Sequence, residues 1–277
     1  MSVTGFGRAA WASFIKSGKV AFTYSPWIIN RVLGPFLWVS LAVYAYTGIS
    51  TEANVQQRFH EVGVSGDFTT FLILGQTVFS FFTAMNWRSG FAIQRERWAG
   101  TWELILLSPV NRFAFLTGEA LFGIVDSGWS VLLAMAVAAF AFGAGFTLGS
   151  PLLAFVALTL TLLAMVSLGF FFASFYVLSR SAGPLSMAIQ APVRFFSGTQ
   201  FPVGALPAAL QAVSYAIPIT WGLGAVRATL TGEPTWSDLA PTLGLLVAFS
   251  VVFLTVGAIL LKRMEHRSKV NGTVHLF

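Results

Sequence analysis

Long apolar segments organise this sequence. Crossing the roughly 30 Å hydrocarbon core of a bilayer takes about 20 helical residues. Apolar runs near that length cover residues 26–48, 68–87, 113–146, 152–178, 185–203 and 239–261. The pattern predicts an all-α integral membrane protein with six transmembrane helices, in one domain of residues 1–277. The third run is too long for one perpendicular span, so we expect its first turns to lie outside the hydrocarbon.

Residues 1–22 precede the first span and have a mixed pattern. Apolar residues recur there at helical spacing, with basic residues between them: Phe6, Ala10, Phe14 and Ile15, against Arg8, Lys16 and Lys19. A cleavable signal peptide would instead have a basic start, a short apolar run and a small-residue cleavage site. We predict an amphipathic helix at the membrane interface, with a frayed tail as the alternative.

The fifth apolar run is short and contains prolines. Pro184 directly precedes it, Pro192 and Pro202 interrupt it, and a second apolar stretch over 204–221 follows at once. Non-helical backbone at membrane depth is tolerated only where protein or a water-filled cavity surrounds it. We therefore expect a re-entrant helical hairpin at 204–221, before the last span.

Composition agrees with a membrane protein. Hydrophobic residues make up 56% of the chain and charged residues only 9%, where soluble proteins have about 25% charged residues. The chain has no cysteine, which excludes thiolate catalysis and a disulfide scaffold. Most of the 16 Lys and Arg residues lie in segments on the side of the N-terminus. This bias predicts that both termini are cytoplasmic, and it explains the net charge of +6 without nucleic acid.

Motifs for catalysis or phosphate binding are missing from the sequence. It contains no GxxxxGK[ST], HExxH or GxSxG string, and His60, His266 and His275 are too scattered for a metal site. Glu119 and Asp126 are the acidic residues within the predicted spans. We expect no catalytic residue, metal or cofactor in this chain, so active transport would take its energy from another chain.

The loop at residues 88–111 is the one sizeable loop on the predicted cytoplasmic side. Arg95, Glu96 and Arg97 are followed by Gly100, and Thr101 is expected to cap a short helix that begins near Trp102. Pro109 would end this helix. Such a helix could dock a soluble partner or lie on the membrane surface, and the pattern alone does not separate the two.

Two motifs add a resemblance. ERWAGTWELILLSP at residues 96–109 resembles the E-x-x-x-G-T-x-E signature, ending in [ST]-P, of ABC-2 type permeases. SGTQFPVGALP at 197–207, PIT at 218–220 and Arg227 are similar to that family's later motif. The resemblance covers essentially the whole chain. It implies the membrane subunit of an ATP-binding-cassette exporter, from the branch that exports drugs and lipids.

The resemblance implies roles for both motifs. The loop helix would be a coupling helix that contacts the ATPase, at positions Arg95, Glu96, Arg97, Gly100, Thr101 and Glu103. The later segment would be the outer gate, formed by Phe196, Ser197, Gly198, Phe201, Pro202, Leu206, Pro207 and Pro218. Two permease subunits, identical or different, would assemble with two ABC ATPases, which bind ATP and Mg²⁺. The location implied is the cell (cytoplasmic) membrane, in contact with lipid.

The family's substrate path runs near spans one, two and five. Path candidates are therefore Trp38, Phe79, Phe82, Arg194 and Phe195. An arginine within a span is costly and should face protein or water. Our hypothesis pairs Arg194 with Asp126 or Glu119, and the alternative is a wet cavity at the Pro192 break.

Exporter function follows from the resemblance. The expected cargo is a hydrophobic or amphipathic small molecule, such as a drug or antibiotic, or a lipid. The alternatives are a polysaccharide or glycolipid exporter permease, an ATP-independent secondary transporter or channel, and a membrane scaffold that transports nothing.

Overall fold

The computed structural model describes residues 3–23, 68–108, 111–142, 149–176 and 182–270, with single positions between 34 and 57. Every regular element in these ranges is a helix. The described helices, numbered in chain order, are α1 Val3–Thr23, α2 Phe68–Met85, a π-helix Asn86–Gly90, α3 Ala92–Trp98, α4 Trp102–Leu107, α5 Arg112–Phe142, α6 Pro151–Tyr176, α7 Ala182–Phe196, a 3₁₀ turn Val203–Ala205, α8 Ala208–Tyr215, α9 Pro218–Thr231 and α10 Trp236–Val270.

Three described helices are long and apolar enough to cross a membrane. They cover Phe68–Gly90, Pro151–Tyr176 and Trp236–Arg263, and they coincide with the predicted apolar runs at 68–87, 239–261 and, as far as Tyr176, 152–178. The pair α8 and α9 makes a fourth if it is taken as one broken span. The predicted span at 26–48 lies almost wholly outside the described residues. The run at 113–146 forms one helix, α5, as far as Phe142.

The fifth predicted span is shorter than expected. Helix α7 has 15 residues and ends at Phe196, seven residues before the end of the predicted span. The reason is local, because Gly198 adopts a φ of +75°, a left-handed conformation that residues with a side chain rarely adopt. Pro192 lies inside α7, where it does not end the helix.

Helix α6 is the centre of the bundle. Pro151 occupies its first turn, where a missing N–H costs nothing. The largest buried cluster joins its apolar residues to α2, α9 and α10. Leu74, Phe82, Met165, Leu223 and Leu246 are representative members.

A close contact joins α6 to the π-helix that continues α2. A Cβ added at Gly169 would lie 2.9 Å from the Met85 carbonyl oxygen and 3.0 Å from Ser89 Oγ. Only glycine lets the two backbones approach this closely. The turn that links α2 to the loop at residues 88–111 is therefore held directly against the central helix.

Helix α1 confirms a helix at the predicted N-terminal segment, and it packs on α5. A Cβ at Gly118 would overlap the Ala10 carbonyl oxygen. Phe14 meets Phe122 edge-on, with ring centroids 5.7 Å apart. Lys16 on α1 forms an ion pair with Glu96, so α1 also contacts the loop at residues 88–111.

Candidate coupling loop and hairpin gate

Two short helices, α3 and α4, form the loop between α2 and α5. Gly100 separates them with a φ of +70°, which explains the glycine of the motif. Helix α4 begins at Trp102, as predicted. Thr101 precedes it but makes no side-chain cap, so that detail of the prediction was wrong. Its hydroxyl instead donates to a Glu96 carboxylate oxygen at 2.6 Å.

Glu96 ties the loop to α1. Its carboxylate accepts a hydrogen bond from Thr101 and forms an ion pair with Lys16. Only 6% of Glu96 is exposed. The acid at the start of the motif therefore fixes the loop against the N-terminal helix, where the resemblance implied a contact with the ATPase.

Glu119 joins three helices. One of its oxygens accepts a hydrogen bond from Ser17 on α1, and the other accepts from Arg95 Nη2 at 2.6 Å. Burial lowers the pKa of Arg95, whereas the Glu119 carboxylate acts to raise it. Arg95 also donates to the backbone carbonyls of Trp87 and Arg88. Arg95 thus links the π-helix to α5.

A further arginine completes this group. Arg88 Nη2 lies 3.1 Å from Asp126 Oδ2 on α5. We call the connected charged and hydroxyl residues at this end of α2 the loop cluster: Lys16, Ser17, Arg88, Arg95, Glu96, Thr101, Glu119 and Asp126.

The structure gives Arg194 the partner Gln76 and not the expected Asp126 or Glu119. Glu119 meets Arg95, Asp126 meets Arg88, and Arg194 Nη2 donates to Gln76 Oε1 at 2.6 Å. Gln76 and Arg88 are twelve residues apart along α2 and its π-helical extension, about 18 Å of helix. Arg194 therefore lies at a different depth in the membrane from Glu119 and Asp126. Residue spacing along a single predicted span does not give the depth of that span relative to another.

The outer surface of the loop is apolar. Trp98, Leu104 and Leu107 are 63%, 67% and 85% exposed, and Gly100 lies among them. Arg97 is half-buried. Glu103 belongs to α4, and its side chain lies outside the described part of the structure.

The hairpin segment comprises residues 196–218, the predicted gate. Of the predicted gate residues, Ser197, Gly198, Pro202 and Leu206 are buried, Phe196 and Phe201 are half-buried, and Pro207 is exposed. Gln211 Nε2 donates to the Leu206 carbonyl at 2.8 Å. This bond joins α8 to the turn before it.

Helices α8 and α9 meet at an angle of 86°. Pro218 begins α9, and the side chains that follow satisfy carbonyls at the end of α8. Thr220 Oγ1 donates to Ser214 O at 2.7 Å, and Trp221 Nε1 donates to Tyr215 O at 2.8 Å. Terminal helix carbonyls need such partners when the helix cannot continue. The PIT motif and the tryptophan after it thus explain the bend.

Arg227 holds the hairpin segment against α2. Its guanidinium donates to Gly198 O and to Phe71 O, both at 2.9 Å. The guanidinium carbon lies 3.4 Å from the centre of the Phe71 ring. A Cβ at Gly75 would overlap the Thr199 carbonyl oxygen, so the hairpin lies directly on the helix.

The path candidates fall in two groups. Arg194 lies 4.8 Å from the centre of the Phe79 ring, and Phe195 meets Phe201 with centroids 4.9 Å apart. Phe82 is buried in the core cluster. Trp38 lies outside the described residues. Arg194 and Phe195 thus lie near the hairpin, whereas Phe79 and Phe82 both pack in the core cluster, with the Phe79 ring beside Arg194.

Sequence reasoning missed several polar partners. Gln76, Asn86 and Ser186 are polar residues within apolar runs, which is a signal that could have marked them, because polar side chains within a span need partners. Among the residues that the structure describes, no group of three His, Asp or Glu side chains could hold a metal ion.

Comparison with known proteins gives a family and two relatives. The sequence model of the ABC-2 family transporter proteins matches residues 37–259. The chain is 26% identical over 212 residues to Nodulation protein J of Rhizobium leguminosarum bv. viciae, covering 73% of this chain and 76% of the relative. It is 26% identical over 209 residues to Nodulation protein J of Rhizobium meliloti (strain 1021), covering 73% of this chain and 75% of the relative.

Proposed function

The chain belongs to the ABC-2 family of transporter proteins, and we propose that it is the permease subunit of an ABC exporter. The permease provides the path through the membrane, and a separate ATPase subunit with ATP and Mg²⁺ supplies the work. The observation that carries this proposal is the coupling loop. Its acid Glu96 is buried, while Trp98, Leu104 and Leu107 are exposed.

The exposed apolar surface of the loop is the ATPase contact. Large apolar side chains on the tip of a short loop cost solvation free energy unless a partner covers them. Two permeases and two ATPases form the complex, with one loop on each ATPase. Both termini lie in the cytoplasm, and the complex lies in the cytoplasmic membrane.

The loop cluster transmits the movement of the ATPase from the loop to the helices α1 and α5. Its ion pairs connect α3 to α1, through Glu96 and Lys16, and to α5, through Arg95 and Glu119. A displacement of the loop by the ATPase therefore moves three helices as one unit. Because Glu119 is buried, breaking this unit is more costly than breaking a surface pair.

The cargo is an amphipathic molecule. Arg194 offers a cation and Gln76 an amide close to the aromatic face of Phe79, a combination that suits a polar head attached to an apolar body. The names of the two relatives refer to nodulation, so they do not support a drug as the cargo. A lipid is our first choice, and a polysaccharide or glycolipid is the alternative.

Reconstitution tests this function. The permease and its ATPase are placed in vesicles with a fluorescent phospholipid, a fluorescent glycolipid or a cationic dye. ATP-dependent movement of the phospholipid is the expected result, and it should stop when the phosphate-binding lysine of the ATPase is replaced. Movement of the glycolipid alone would select the alternative cargo. Movement without ATP would refute the exporter and favour a secondary transporter.

A further inference from the structure

A buried polar node lies beside the π-helix, and the loop cluster does not include it. We use the name polar node for Asn86, Tyr176, Ser186 and Gln190. Asn86 Nδ2 donates to Ser186 Oγ at 2.6 Å, and Tyr176 Oη donates to Asn86 Oδ1 at 2.9 Å. Gln190 Nε2 donates to the same serine hydroxyl at 2.8 Å. Asn86, Tyr176 and Ser186 are at most 1% exposed.

The node joins three elements that have different roles. Asn86 is the first residue of the π-helix, which leads directly into the coupling loop. Tyr176 is the last residue of the central helix α6. Ser186 lies on α7, the helix that also carries Arg194. The Asn86 side chain therefore connects the start of the π-helix directly to this path helix.

The geometry of the node is specific. Because the amide of Asn86 donates on one side and accepts on the other, its orientation is determined by both neighbours. The ring of its partner Tyr176 is itself packed, since the Phe91 ring centroid lies 4.6 Å from that of Tyr176 and 4.5 Å from that of Trp87. A Cβ at Gly90 would lie 3.0 Å from the Tyr176 ring. The π-helix thus cannot shift against α6 without disturbing the node.

Single π-helical turns within α-helices are rare and occur often at functional sites. They place side chains in a register that an α-helix would not give. Here the π-register directs Asn86 to Ser186 while Arg88, two residues later, reaches Asp126. One turn of backbone therefore contacts α7 with one side chain and α5 with another.

We propose that Asn86 is a positioning residue for transport: it transmits the displacement of the coupling loop to α7. This inference rests on the proposed exporter function. The loop displaces the π-helix, Asn86 moves with it, and α7 follows through Ser186. Without the Asn86–Ser186 hydrogen bond, the ATPase still hydrolyses ATP, but α7 no longer moves when nucleotide binds.

A label on α7 measures this response without knowledge of the cargo. The chain has no cysteine, so Met187→Cys, at a position that is 65% exposed, takes a single environment-sensitive bimane. The permease is labelled before the ATPase is added. Emission is then recorded in the whole complex, without nucleotide and with ATP plus vanadate. In the otherwise unchanged permease, nucleotide should shift the emission.

The node variants are Asn86→Leu, Ser186→Ala and Tyr176→Phe, the last of which keeps the ring packing. The matched control is Ser174→Ala, because Ser174 is also fully buried but its hydroxyl donates to Phe171 O within α6. We expect the three node variants to lose most of the shift while ATP hydrolysis continues. The control Ser174→Ala should keep both the emission shift and ATP hydrolysis.

Each outcome decides the proposal. Loss of the shift in Tyr176→Phe or Ser186→Ala, with hydrolysis intact, supports transmission even if Asn86→Leu fails to fold. An unchanged shift in all the variants that fold would overturn it, and so would a complex that hydrolyses ATP with no shift at α7. A permease that binds no ATPase would instead refute the proposed exporter function itself.

Discussion

The two ends of α2 hold their arginines in different ways. At the loop end, Arg88 and Arg95 form ion pairs with the carboxylates Asp126 and Glu119, and Arg95 donates to two backbone carbonyls as well. At the hairpin end, Arg194 donates to an amide oxygen, and Arg227 donates to two backbone carbonyls. Ion pairs between side chains join helices into a unit. Bonds from an arginine to carbonyls hold a backbone shape, so the ion pairs at the loop end agree with the proposed transmission and the bonds at the hairpin end agree with the predicted gate.

The largest effect should follow a change at the loop end. We expect Glu119→Leu to destabilise the fold by about 3–5 kcal/mol, because Arg95 then loses its buried carboxylate. Thermal unfolding in detergent would measure this loss. The double variant Arg95→Met with Glu119→Leu should be more stable than Glu119→Leu alone, and the exposed Glu233→Gln should change little. A double variant that loses the sum of the two single effects would refute the pair.

At the hairpin end, Arg227→Met removes two hydrogen bonds to carbonyls. We expect a loss of about 1–3 kcal/mol, since two hydrogen bonds from a charged group are lost. Arg227→Lys should recover only part of the loss, because an ammonium group lacks the planar fork. Arg263→Met, at an exposed position on α10, is the control. Equal unfolding temperatures for Arg227→Met and Arg263→Met would contradict the proposed role of this arginine.

The docking of α1 can be tested through one methyl group. Gly118→Ala should destabilise by about 1–3 kcal/mol through overpacking, since its Cβ would overlap the Ala10 carbonyl oxygen. Gly128→Ala on the same helix has open space around its Cβ and should be neutral or stabilising. Unfolding curves that rank the two variants in the opposite order would show that α1 does not pack closely on α5.

The smallest effect should come from Lys16. The side chain of Lys16 is 46% exposed, so Lys16→Met should cost less than about 1 kcal/mol, and the cost should shrink further as salt screens the pair. Unfolding temperatures at low and high salt would show this. A loss as large as that of Glu119→Leu would mean that the ion pair with Glu96 is a main anchor of the loop.

Much of the bundle could be predicted from the sequence because membrane thickness sets the length of an apolar run. The helices at 68–87, 152–178 and 239–261 followed directly from that rule. The end of α7 did not, because it depends on the conformation of Gly198. Predicting the partner of Arg194 failed for another reason: distance along one helix does not give depth relative to another helix.

The coupling loop shows the same limit. Its motif indicated where the short helix begins, yet motif letters do not distinguish buried from exposed positions. Glu96 is buried against α1 because α1 packs on α5 through Gly118, a tertiary contact between distant parts of the chain. Among the apolar residues of the motif, Leu104 and Leu107 are exposed, whereas Trp102 is buried.

One measurement tests the central claim most directly: purification of the tagged permease in mild detergent, with ATP hydrolysis and native mass measured on what copurifies. We predict a P-loop ATPase, two copies with two permeases, and hydrolysis that vanadate inhibits. Leu107→Asp should lose the ATPase, and Lys262→Glu, an exposed position on α10, should keep it. Recovery of no ATPase from a lysate shown to contain it, or equal recovery with Leu107→Asp, would contradict the account.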